Sequence, residues 1–158
     1  MSDRKNYRQA AVRWLRENGF VEPNAEGEQL ENGVWVLRGI PEGHLWLPPE
    51  IKSTFAMNHK AHRWVTGINS DRYADYCEAD DIHDGPLWLS FLNLGGQPKG
   101  CEEDSPGGFY CGYVPLLRRN IFQRWEGKDR EGNLVCMVYW TINYLQRRAP
   151  LAEILPEK

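Results

Sequence analysis

Two short runs of this chain are almost wholly apolar. They are Leu87-Trp88-Leu89-Ser90-Phe91-Leu92 and Leu134-Val135-Cys136-Met137-Val138-Tyr139-Trp140. Strand side chains alternate between faces, so such a run is sheltered only in a sheet covered on both sides. Neither run approaches the roughly 18–20 apolar residues that cross a membrane as a helix. Both are therefore expected at the centre of a sheet.

The elements around them point to an α+β fold. Tyr7, Ala11, Trp14 and Leu15 recur at helical spacing, which predicts a helix over about 4–18, capped by Ser2 or Asp3. Gly19 then suits a left-handed stop, with Phe20 folding back on Leu15. Val34–Leu37 and His44–Leu47 flank a Gly/Pro turn and predict a hairpin. A short helix is expected from Pro49 to Met57, with Ile51 and Phe55 on one face. Strands are expected over Arg63–Ile68, Tyr73–Asp80, Pro86–Asn93 and Phe109–Tyr113. Pro115 opens a late helix to about Trp125, and Thr141 caps a short C-terminal helix to Arg148. The whole predicts a mostly antiparallel mixed sheet of about 6–7 strands with helices packed on it, as one domain over residues 1–158.

Composition narrows the class. The chain is 41% hydrophobic and 26% charged with a net charge of −3. That excludes intrinsic disorder and argues mildly against a dedicated duplex-binding protein. The first residues carry charges without a following apolar stretch, unlike a secretory signal, so a cytoplasmic protein with no membrane partner is expected. Its cysteines, 77, 101, 111 and 136, read as free thiols for a chain of this size. Cys101 and Cys111 stay open as a pair, because they bracket the glycine-rich loop 94–108. Cys111 is the better reactive candidate, whereas Cys136 reads as buried and inert.

The densest charge feature is residues 71–84, where Asp71, Asp75, Glu78, Asp80, Asp81 and Asp84 face Arg72 alone. On a strand, Glu78 and Asp80 would share a face about 7 Å apart. Such carboxylates, with His83 in the adjoining hairpin, suit Mg²⁺ or Mn²⁺. This supports an alternative reading as a metal-dependent nuclease-like enzyme using Asp75, Glu78 and Asp80, with Glu78, Asp80 and His83 as metal ligands and Arg118 or Arg119 on phosphate. The element order loosely resembles a PD-(D/E)xK-type fold, but the neighbouring strand LWLSFLN lacks the acid and lysine of that pattern. His59 and His62, three apart on a helix, would reach zinc only with Cys77 or His83. No GxSxG or GxxxxGK[ST] segment is present.

Seven tryptophans are many for this length. Trp14, Trp88, Trp125 and Trp140 fall on apolar stripes and read as core. Trp35 and Trp46 lie in the first hairpin beside Glu26, Glu28, Glu31, Glu42 and Glu50, where an exposed ring suits protein recognition. Arg4, Arg8, Arg13 and Arg16 read as a solvated helix face. The leading expectation is a non-catalytic macromolecule-binding protein, regulatory or inhibitor-type and needing no cofactor. Its acidic, aromatic-bearing surface would be built on Trp35, Trp46, Asp71, Asp81 and Asp84, with another protein as the partner. Nucleic acid would instead use Arg118, Arg119 and Arg124. Segregated charge also suits self-association into a homo-oligomer.

Overall fold

The computed structural model describes residues 2–155, with side chains from Arg4 onward. Helix α1 (Ser2–Glu17) leads into strands β1 (Glu28–Gln29), β2 (Trp35–Arg38), β3 (Leu45–Trp46), β4 (Glu50–Lys52), β5 (Ala56–Asn58) and β6 (Arg63–Asn69). Helix α2 (Ser70–Ile82), β7 (Leu87–Asn93), β8 (Gly108–Tyr113) and α3 (Val114–Arg118) follow. The chain closes with β9 (Gln123–Lys128), β10 (Leu134–Thr141), β11 (Gln146–Ala149) and α4 (Leu151–Ile154). The α+β class is as expected, with helices at both ends.

The strands form two sheets. A mixed seven-stranded sheet has the order β1-β2-β3-β7-β8-β11, with β4 also on β7. An antiparallel four-stranded sheet has the order β5-β6-β10-β9. The run 87–92 is central, as its composition requires. Leu87, Leu89 and Phe91 enter one apolar core with Val138, Trp140 and Tyr76. Leu92, with Trp88 packed alongside, enters a second core with Trp14, Leu15 and Phe109. The large sheet thus lies between α1 and α4 on one side and the small sheet with α2 and α3 on the other. None of the described helices is long and apolar enough to cross a membrane.

Helix α1 stops as a Schellman motif. Gly19 sits at φ +79°, Phe20 N donates to Leu15 O at 2.9 Å, and Gly19 N donates to Arg16 O. The Phe20 ring, however, stacks on Trp14 at 5.4 Å. The expected cap at Ser2 or Asp3 concerns side chains outside those described. The arginine face of α1 is not simply solvated. Arg4, Arg8 and Arg16 donate to the carbonyls of Ile51, Pro49 and Ala25, which ties the helix to β4 and to the connectors before β4 and β1.

Four expected segments differ. Residues 49–57 form β4 and β5 instead of a helix, and Ile51 and Phe55 enter opposite cores. The late helix ends at Arg118 rather than near Trp125. Asn120 Nδ2 donates to Leu116 O at 2.8 Å, and the residues beyond pair with β10. Ladder pairing outweighs the Leu117-Ile121-Trp125 spacing there. Residues 142–148 give a single 3₁₀ turn and β11, and the C-terminal helix begins after Pro150. Finally, Tyr73–Asp80 is helical.

Loop 94–108 is held rather than loose. Ser105 is buried, and its hydroxyl accepts from Asn93 Nδ2 at 3.1 Å and Phe55 N at 3.3 Å while donating to Gly96 O at 2.9 Å. Cys101 and Cys111 are separate free thiols, so no bridge spans the loop.

Candidate functional site

Helix α2 carries the acidic segment. Asn69 Oδ1 accepts from Asp71 N at 2.8 Å, an Asx cap that starts the helix. Asp71 in the first turn complements the positive end of the helix. Tyr76 and Ala79 are buried, and Tyr73, Cys77 and Asp80 are half-buried, at intervals of three and four. That is a helical stripe, and it corrects the expected strand at 73–80. Residues two apart on a helix diverge by roughly 200°. Glu78 is accordingly exposed, while Asp80 turns inward.

Asp80 meets Arg118. The guanidinium Nη1 lies 2.8 Å from Asp80 Oδ2 and 2.8 Å from Asp81 Oδ1. Those two bonds, Asp81 first, hold the Arg118 pKa above its ordinary value. Arg118 is thereby committed to α2, not to phosphate. Arg124 covers the Tyr73 ring at 5.6 Å, and Arg119 is exposed. The set Asp75, Glu78, Asp80 and Arg118 does not form one site. His83 Nε2 lies 2.8 Å from Gly43 O, away from a shared centre with Glu78 and Asp80. Among the described residues no three His, Cys, Asp or Glu side chains are placed to hold a metal ion. The carboxylate site on a 73–80 strand is therefore corrected. His59 and His62 are exposed in the turn between β5 and β6, not on a helix.

Trp35 and α2 do come together. Trp35 is 52% exposed, and its ring packs across Gly27. It lines a cleft of about 250 Å³ with Asn32, Pro48, Arg72, Asp75 and Tyr76. Asn32 Nδ2 donates to Asp75 O at 2.9 Å, fixing the hairpin turn against the helix. Arg72 is paired with Glu50 at 2.9 Å, and Tyr76 Oη donates to the same carboxylate at 3.5 Å. Burial, with Glu50 second, pushes the Tyr76 phenol well above its ordinary pKa. The cleft wall is therefore cross-linked by hydrogen bonds and its Arg72 charge is paired, whereas Asp71, Asp75 and Glu78 remain exposed.

A second polar hollow of about 200 Å³ flanks the same hairpin and includes Glu22, Glu28, Arg38, Glu42, His44 and His83. Arg38 closes on Glu28 at 2.9 Å. The Trp88 indole N–H donates to His44 Nδ1 at 3.3 Å, which orients that ring.

Trp46 does not belong to an exposed surface. It is 2% exposed and stacks on Trp88 at 5.4 Å. Its side chain enters the core between the large sheet and α1, so the expected binding role is corrected. Asp81 is committed to Arg118, and Asp84 is exposed just past α2. Cys111 is buried under the Arg148 guanidinium at 3.1 Å, and burial raises its pKa, the reverse of a reactive thiol. Cys136 is half-exposed beside Glu126, not buried. Sequence reasoning does not pair Asp75 with Trp35 in one cleft. The signals that place it there are the Asn69-Ser70-Asp71 cap and the Tyr73/Tyr76/Cys77/Asp80 spacing. No family model, curated protein or solved structure matches this chain.

Proposed function

We propose that the chain is a non-catalytic macromolecule-binding protein of regulatory or inhibitor type. It engages another protein through Trp35 and the carboxylates beside it. The observation that carries this reading is the half-exposed Trp35 indole lining one cleft with Asp75. A large ring that leaves water on binding supplies the anchor, and rim carboxylates select the partner. Asp71, Asp75, Glu78 and Asp84 favour a partner segment bearing Lys or Arg. The cysteines are unpaired, which supports a cytosolic setting.

The test uses an array of Lys/Arg-bearing, neutral and acidic peptides probed with the folded chain. Basic peptides should bind, and Trp35→Ala and Asp75→Asn should each weaken them at least about tenfold with an unchanged melting temperature. Equal binding of all three peptide classes, or full binding by Trp35→Ala, would count against the reading.

A further inference from the structure

The small sheet ends in a strand with no second ladder partner among the described residues, touched at its start by Asn58, whose Nδ2 donates to Gln123 Oε1 at 3.3 Å. β9 pairs with β10 on one side, and among the described residues no strand pairs with its other side. It is six residues long and exposed at every position but Gly127. Unpaired edges are normally shortened, interrupted by proline, covered or guarded by charged side chains. β9 is neither short, broken by proline nor covered, and its charges, Arg124, Glu126 and Lys128, are of both signs. Large apolar side chains gather beside it: Phe122, Trp125 at 42% exposed and Leu134 at 63%. The Trp125 indole lies against Gly127, where a Cβ would collide with the Cη2 and Cζ2 atoms of the ring. The ring thus stays on the sheet surface and does not block the edge.

The sequence of this edge is complementary to itself. A two-fold axis normal to a sheet joins two copies antiparallel and keeps each residue on its own face. Only registers that pair residues of like parity are then allowed. One of these sets Trp125 against Trp125 of the second copy, Gln123 against Gly127, and Arg124 against Glu126 in both directions. Shifting by one allowed step toward the C-terminus sets Glu126 against Glu126 and Arg124 against Lys128. Shifting toward the N-terminus sets Arg124 against Arg124. Directly opposed side chains lie about 5 Å apart, where opposite charges attract and like charges repel. Charge therefore selects the Trp125-centred register.

We propose that two copies of this chain associate antiparallel through β9 in that register, joining their small sheets into one continuous eight-stranded sheet. The occupant of the edge is a second copy. This goes beyond the Trp35 reading and rests on different residues, since none of the residues lining the Trp35 cleft belongs to β9.

The test is sedimentation equilibrium of the full chain from about 1 to about 200 µM. Wild type should rise with concentration toward twice the 18.4 kDa monomer mass. Arg124→Glu and Glu126→Arg should each raise the dissociation constant at least about tenfold, since each turns both attractive pairs repulsive. Mixing the two variants should restore a dimer. One copy then carries acids at both positions and the other carries bases at both, so each opposed pair across the axis is again attractive. The double variant should likewise dimerise. Circular dichroism checks folding, and the mixing result needs both proteins folded. A wild type that stays monomeric overturns the proposal, as does a dimer indifferent to single reversals or variants that fail to pair when mixed.

Discussion

The Arg118 guanidinium lies 2.8 Å from the Asp80 carboxylate across a separation of 38 residues, and this contact seats α2 on α3. The Asp80 side chain is 10% exposed and that of Asp81 is 65%. Desolvation makes an unpaired carboxylate costly at the first position and cheap at the second. Arg118→Ala is expected to cost about 1–3 kcal/mol of unfolding free energy. Asp81→Asn should stay within about 0.5 kcal/mol. Urea unfolding of the variants checks the order; equal losses at Asp80→Asn and Asp81→Asn would contradict it.

Ser105 is the pin of the glycine-rich loop. Ser105→Ala removes the acceptor for Phe55 N and one for Asn93 Nδ2, and should cost about 1–3 kcal/mol. Amide exchange should accelerate through residues 94–108 ahead of the strands. Unchanged exchange in that loop would show that its order has another source.

These elements differ in how far the chain alone reveals them. The run 87–92 is legible because continuous apolarity admits one environment. The α1 stop is legible because Gly19-Phe20 follows a clear stripe. The acidic segment is not, since six acids obscure the spacing of Tyr73, Tyr76 and Cys77. β9 is not, since Leu117, Ile121 and Trp125 also fit a helix and only its pairing with β10 decides. Trp35 and Trp46 look alike in sequence, yet long-range packing against Trp88 and Phe20 buries only the second.

Stability should fall on the alkaline side. Burial raises the phenols of Tyr73, to about 12, and of Tyr76 and Tyr110, and it raises the Cys111 thiol. Groups whose folded pKa exceeds the unfolded value contribute fully below the unfolded value, near pH 9 for the thiol and 10 for the phenols. That contribution is lost as pH rises through the folded values. The melting temperature should therefore be level with respect to these groups near neutrality and decline above about pH 9. Tyr76→Phe should shallow the decline; an identical slope would refute the assignment to Tyr76.

Cys111 should resist thiol reagents in the native state. Its burial and its place under Arg148 protect it until the large sheet opens. Replacing Cys111 with serine should leave native labelling by an aromatic disulfide reagent unchanged. A lost fast phase in that variant would mean that Cys111 is the accessible thiol.

Whether Trp35 and the acidic face of α2 act as one recognition surface is tested by ¹H–¹⁵N spectra during titration with a Lys/Arg-rich decapeptide. The expected result is a saturable shift of the Trp35 indole N–H together with the amides of residues 71–78, with the Trp125 indole unmoved. Saturable shifts confined to other regions, or a Trp35 resonance that stays fixed while the peptide binds, would contradict it.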